Sequence, residues 1–194
     1  MLNGWIAWLV AAAMAFLFAA AVRPLPRTLL AVVALAHVAF VVSVAIFPIP
    51  VDADLTRLAR ERGWTGNAAT FVNLTPFETI RQSLLSGIGS HEFTQAVQNV
   101  FVLSPVAVYA PLLWRSARSW AAFVPVAIIA GCSIEIGQLA VSIVLGFPYR
   151  SIDIDDAILN SLGIVIVFVL YRAGTALMEA TRQQRASPTA ASSE

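Results

Sequence analysis

Ser119-Trp-Ala-Ala-Phe-Val-Pro-Val-Ala-Ile-Ile-Ala-Gly-Cys-Ser-Ile-Glu-Ile-Gly-Gln-Leu-Ala-Val-Ser-Ile-Val-Leu-Gly-Phe147 is an apolar stretch with one charged side chain, Glu135, near its middle. A hydrocarbon core about 30 Å thick takes roughly 20 apolar residues in helix, so this stretch is long enough to cross a bilayer. Outward from it, four more stretches meet the same criterion: Trp5–Val22, Thr28–Phe47, Thr94–Trp114 and Asp155–Tyr171. The composition agrees, with 59% hydrophobic and 12% charged residues and a mean hydropathy of +0.79. A water-soluble globular domain is thereby excluded. The expected fold is all-α, a polytopic membrane bundle of five transmembrane helices.

The net charge is +1 and every base is Arg, so no overall field points to a nucleic-acid partner. Cys132 is the single cysteine, which leaves no disulfide and no thiolate metal site within one chain. Charge placement is more informative. Arg23 and Arg27 fall between the first two spans, Arg115 and Arg118 between the third and fourth, and Arg172, Arg182 and Arg185 after the fifth. Arginines near span ends are retained on the cytoplasmic side, so the N-terminus is expected outside and the C-terminus inside. The first stretch lacks a basic flank before its apolar run and reads as an uncleaved span, with cleavage after Ala21 as the alternative. Residues 1–179 read as one membrane domain, and the polar segment 180–194 as a disordered cytoplasmic tail.

The long loop 51–93 then lies outside. Within it Thr75-Pro76-Phe77-Glu78 combines an N-cap residue, a Pro at the first helical position and a Glu three places after the cap, which predicts a helix starting at Pro76. Phe77, Ile80, Leu84 and Ile88 recur at helical spacing, so this helix is expected to lie at the outer interface. Asp52–Arg62 reads as a second short amphipathic segment or an ordinary connecting helix.

Polar groups inside a span call for a reason, because a charge at mid-helix costs about 2.5–3.5 kcal/mol on insertion scales. Here they recur at one level. Gln95, Gln98 and Asn99 sit at the outer end of the third span; Glu135, Gln138 and Ser142 share a face of the fourth; Asp153, Asp155 and Asp156 open the fifth, with Asn160 one turn beyond. At about 1.5 Å per residue, Glu135 lies roughly 18 Å below the outer end of its span. All of these groups therefore belong to the outer half of the membrane, as either an outward-facing polar cavity or a closed polar seam. The aspartates also suit helix capping, worth about 0.3–1 kcal/mol each, and the amides suit interhelical bonding at about 0.6–2 kcal/mol. Glu135 is different. A carboxyl that deep is either protonated or paired, and Arg150 is the nearest arginine in sequence. His37 reads as a neutral imidazole bonded to a carbonyl.

Four motifs carry a resemblance: Val72-Asn73-Leu-Thr-Pro76-Phe77, Gln98-Asn99-Val-Phe-Val-Leu-Ser-Pro105, Ser133-Ile-Glu135-Ile-Gly-Gln138, and Arg150-Ser-Ile-Asp153-Ile-Asp155-Asp156-Ala-Ile-Leu-Asn160-Ser-Leu-Gly163. In this order, over about residues 70–165, they resemble the VanZ-like family of bacterial membrane proteins. Where that family shows a Gly two places after the Pro of the third span, this chain has Ala107. The resemblance implies the bacterial cytoplasmic membrane and a relation to a protein conferring low-level resistance to teicoplanin-type glycopeptides. It implies no reaction.

The candidate binding residues are Asn73, Glu78, Asn99, Glu135, Gln138, Arg150, Asp153, Asp156 and Asn160, and Asp153, Asp155 and Asp156 are candidate ligands of a divalent cation. The leading expectation is a site for a lipid-linked envelope molecule, a polyprenyl-phosphate or a glycolipid, reached from the outer leaflet. Because carboxylates repel phosphate, direct phosphate binding would call on Arg150, Arg81 or the cation. The alternatives are a proton- or ion-coupled transporter using Glu135 and a non-catalytic accessory that binds an envelope partner through the 51–93 loop. Catalysis ranks lower, since no nucleophile-and-base pair and no His-rich metal spacing stands in the sequence.

Overall fold

The computed structural model describes residues 26–47, 49, 52–62 and 71–186; the expected span Trp5–Val22 lies outside the described residues. Among these, four helices are long and apolar enough to cross a membrane: Arg27–Ala45, His91–Leu113, Trp120–Leu145 and Ile154–Gln184. The chain is an all-α membrane helical bundle. Helix α1 (Arg27–Ala45) buries Leu30 and Val41 and turns Val32 and Leu35 outward, the distribution of a helix with lipid on one side. A surface helix α2 (Ala53–Arg62) follows.

The third span is broken. Helix α4 (His91–Val102), which follows the short helix α3 (Glu78–Ser86), is capped by Ser90, whose Oγ accepts from Phe93 N at 3.1 Å. That cap sets its start three residues before the expected Thr94. Residues Leu103–Pro105 then interrupt the helix before α5 (Val106–Leu113). Pro105 has no N–H to give the Phe101 carbonyl, which accepts instead from the backbone N and the hydroxyl of Ser104. Val106 N turns to Leu103 O, so the Val102 carbonyl loses its helical donor. His37 of α1 supplies one, with Nε2 at 2.9 Å, while its Nδ1 lies 3.3 Å from the Tyr109 hydroxyl. Inside a bilayer a freed backbone carbonyl must find a protein partner, and His37 is bonded to a carbonyl as its sequence context suggested.

Helix α6 (Trp120–Leu145) ends at Gly146, whose φ of +82° suits the left-handed closing turn, and Arg60 of α2 donates to the Leu145 carbonyl at 2.9 Å. Helix α7 (Ile154–Ala186) spans 33 residues, about 50 Å at 1.5 Å per residue. It runs far past Tyr171 and through the first residues of the segment expected to be disordered. No Gly or Pro stands between Gly174 and Pro188, and Leu, Met, Glu, Arg and Gln continue an existing helix at little cost. The end of the apolar run marks an end of lipid contact; it does not mark the end of the helix.

Helix α7 is the hub. It packs against α6 where a Cβ on Gly131 would meet Ser161 Oγ, and against α4 where a Cβ on Gly163 would fall on the Val100 carbonyl. Close approach at small residues is how helices associate in lipid, where no hydrophobic force draws them together. Further along, Phe123 stacks on Phe168 at 3.7 Å between ring centres. Ala107 is fully buried in this core, so its methyl group is accommodated. Two residue pairs, β1 (Val72–Asn73) and β2 (Ile152–Asp153), form a parallel bridge with Val72 opposite Ile152 and Asn73 opposite Asp153.

Candidate functional site

The bridge positions two aspartates at the head of α7. Asp155 is fully buried, and its carboxylate accepts from Phe77 N at 2.6 Å and from Ile80 N at 3.1 Å. It is the N-cap of α3, supplied from a distant part of the chain. Helix α3 accordingly begins at Glu78, not Pro76, and Thr75 is not its cap: Thr75 N donates to Asn73 Oδ1 in a local turn. Phe77 holds a φ of +67°, a left-handed conformation costly for a bulky residue and stabilised here by the Asp155 bond. Asp153 accepts from Thr79 Oγ1 at 2.5 Å, from Asn73 Nδ2 at 3.2 and 3.3 Å, and from Asp155 N at 2.9 Å.

A bond of 3.0 Å from Asp153 N to Glu135 Oε2 joins this tie to the membrane interior. Glu135 is 7% exposed and lines a cavity of about 300 Å³ with Gln95, Gln98 and Asn99 of α4, Gln138 of α6, Arg150, and Asp156 of α7. Three spans thus turn polar side chains to one chamber, and α1 closes it with Val44 and Ala45. Side chains around the chamber satisfy the last carbonyls of α1: Gln138 Nε2 donates to Ala45 O at 3.0 Å, Tyr149 to Ile46 O at 3.2 Å and Arg150 Nη2 to Phe47 O at 3.0 Å. Arg150 therefore stands at the chamber without pairing Glu135, contrary to the local reading; the carboxylate takes a backbone N–H instead.

The remaining candidates divide. Asn73 and Asp153 belong to the tie beside the chamber. Asn160 is 1% exposed, and neither its Oδ1 nor its Nδ2 has a partner among the described residues. Asn99 Nδ2 is likewise buried without a well-formed hydrogen bond. Glu78 lies outside the chamber on the exposed side of α3, where bonds from Arg81 and Gln82 hold its carboxyl below the ordinary value. The three aspartates do not make a metal site. Asp153 and Asp155 spend their oxygens on the tie, Asp156 faces the chamber, and among the described residues no three His, Cys, Asp or Glu are grouped to hold an ion.

Two features had no signal in the sequence. Thr79 gains its role only through Asp153, and an apolar groove of about 320 Å³ runs between α1, α5 and α6 past Val38, Val42 and Tyr109. Ala45 and Ile134 line both this groove and the polar chamber. Among family models, that of VanZ/LLP1 matches residues 33–177. No curated protein and no solved structure matches the chain.

Proposed function

The chain belongs to the VanZ-like family, and from that premise we propose that it binds the polar end of a lipid-linked molecule of the bacterial cell envelope. The observation that carries this reading is the single chamber lined by amides and carboxylates from α4, α6 and the head of α7. Buried polar groups without protein partners cost about 1–3 kcal/mol each, and a bound polar ligand offsets that cost. The arginine bias, read by the rule that such residues stay on the cytoplasmic side, supports an outer-leaflet position for this end of the bundle. Beside it α3 exposes Leu84 and Leu85, with Ile88 just beyond its end, an apolar edge suited to the headgroup boundary. The link to glycopeptide resistance follows from the envelope context: a protein that holds a lipid-linked precursor alters what a glycopeptide meets at the membrane surface.

The test uses the full chain in nanodiscs, titrated in parallel with a glycolipid and with a polyprenyl-phosphate-linked saccharide, binding of either supporting the reading. Glu135→Gln and Asp156→Asn are each expected to weaken binding by roughly tenfold or more, about 1.4 kcal/mol, with unchanged unfolding temperature. A matching loss of teicoplanin tolerance in cells is expected. Binding that ignores both substitutions would remove the reading.

A further inference from the structure

We propose that the chamber is one half of a two-compartment site, whose ligand is an amphiphile with a hydroxyl-rich, phosphate-free head and a single hydrocarbon tail. The head sits among Glu135, Asp156 and Asn99, and the tail lies in the groove between α1 and α6. This rests on the binding reading above and adds the chemical class and the path of the tail.

The chamber chooses the head by its balance of donors and acceptors. Carboxylates accept only, amides do both, and a hydroxyl does both. A phosphate brings acceptors and negative charge to a chamber that already holds two carboxylates. The Arg150 guanidinium at its edge gives one N–H to the Phe47 carbonyl, His91 of α4 is the other lining group able to carry positive charge, and Arg81 is bonded to Glu78 away from the chamber, so two carboxylates face at most two cationic groups. Vicinal hydroxyls donate to Glu135 and Asp156 and accept from the buried Asn99 Nδ2, whose contact with the Asp156 carboxylate is not a well-formed bond.

Adjacency places the tail. Ala45 and Ile134 line both compartments, so the groove abuts the chamber across these two side chains, and a tail leaving a head at Asn99 passes between them. The polar groups of His37 and Tyr109 that border the groove are turned to each other and to the Val102 carbonyl, which leaves its wall apolar. Volumes of about 300 and 320 Å³ lie at the small end of the roughly 300–1,000 Å³ typical of ligand sites. They suit one head and one chain better than a two-chain lipid.

The test compares two photoactivatable probes, a dodecyl glycoside and a dodecyl phosphate carrying the same diazirine in the tail, on the full chain in nanodiscs. The glycoside is expected to label Val38, Val42 or Ile134 at least tenfold more strongly than the phosphate, and Ala130→Phe, which narrows the groove, to abolish that labelling. Equal or stronger labelling by the phosphate overturns the head class and leaves the binding reading standing. Glycoside binding that requires Glu135 but labels only lipid-facing Val144 and Leu170 overturns the tail path. Cross-linking of residues 5–22 to a photoreactive group at Val38, undiminished by glycoside, assigns the groove to the chain's own first apolar segment and does the same. Labelling insensitive to both Glu135→Gln and Asp156→Asn overturns this proposal together with the binding reading.

Discussion

In the tie of Asn73, Thr79, Asp153 and Asp155, every carboxylate oxygen accepts at least one hydrogen bond, whereas across the Glu135 bond an amide atom of Asn99, at the chamber, and those of Asn160, buried one turn beyond Asp156 and outside the chamber lining, have no well-formed partner. The two regions share residue types and adjoin in sequence. Asp155 and Asp156 are neighbours, yet about 100° of helical turn sends one into the scaffold and the other into the cavity. An acidic run at a helix start is therefore not one unit. Full satisfaction marks a structural element, and unfilled donors beside a cavity mark a place kept for something else.

The largest effect should come from Asp155→Ala, which strips the acceptor from the N–H groups of Phe77 and Ile80. With bonds to charged groups worth about 1.5–3 kcal/mol each, a loss of roughly 3–5 kcal/mol is expected in denaturant unfolding of the detergent-solubilised protein. Stability equal to that of the unaltered chain would erase the distinction between the regions. Thr79→Val, which removes one donor to Asp153 and leaves Asn73 in place, is expected to cost about 1–2 kcal/mol by the same measurement. One turn beyond Asp156 the sign changes: Asn160→Leu replaces an unsatisfied buried amide with a side chain of similar size, and stability should stay level or rise by up to about 1 kcal/mol. A fall of the size seen for Asp155 would place Asn160 with the scaffold. Smallest of all, Glu78→Ala should leave the unfolding midpoint unchanged. The Arg81 bond lowers the Glu78 pKa from 4.5, so what it contributes is fully present above that value and fades only as pH falls through the lower folded one. Variant and parent unfolding curves should therefore run in parallel from neutral pH to 4.5.

The spans that lie among the described residues were legible because length and apolarity are local properties. So was the convergence of Asn99, Glu135 and Asp156, since burial cost selects such residues and helical rise fixes their level. What escaped was non-local. Thr75 satisfied every short-range rule for a cap, but a carboxylate with two oxygens, delivered by the Asn73–Asp153 bridge, outcompetes a hydroxyl. Arg150 was the nearest charge to Glu135 in sequence, yet the end of α1 offered it a bare carbonyl, and no periodicity announces that helix as a wall of the chamber. The break at Leu103–Pro105 did carry a local signal in Ser104-Pro105, hidden inside an otherwise continuous apolar run.

The distant cap on α3 also sets an order of events during biosynthesis. Phe77 and Asp155 are separated by 78 positions, which at about 5–20 residues per second is roughly 4–16 s of translation. For that interval the leading amides of nascent α3 lack their acceptor, and the start of the helix becomes fixed only when the head of α7 arrives. Until then this rim of the chamber stays unfinished, and Asp155 completes it from the far side of three α-helices in the chain.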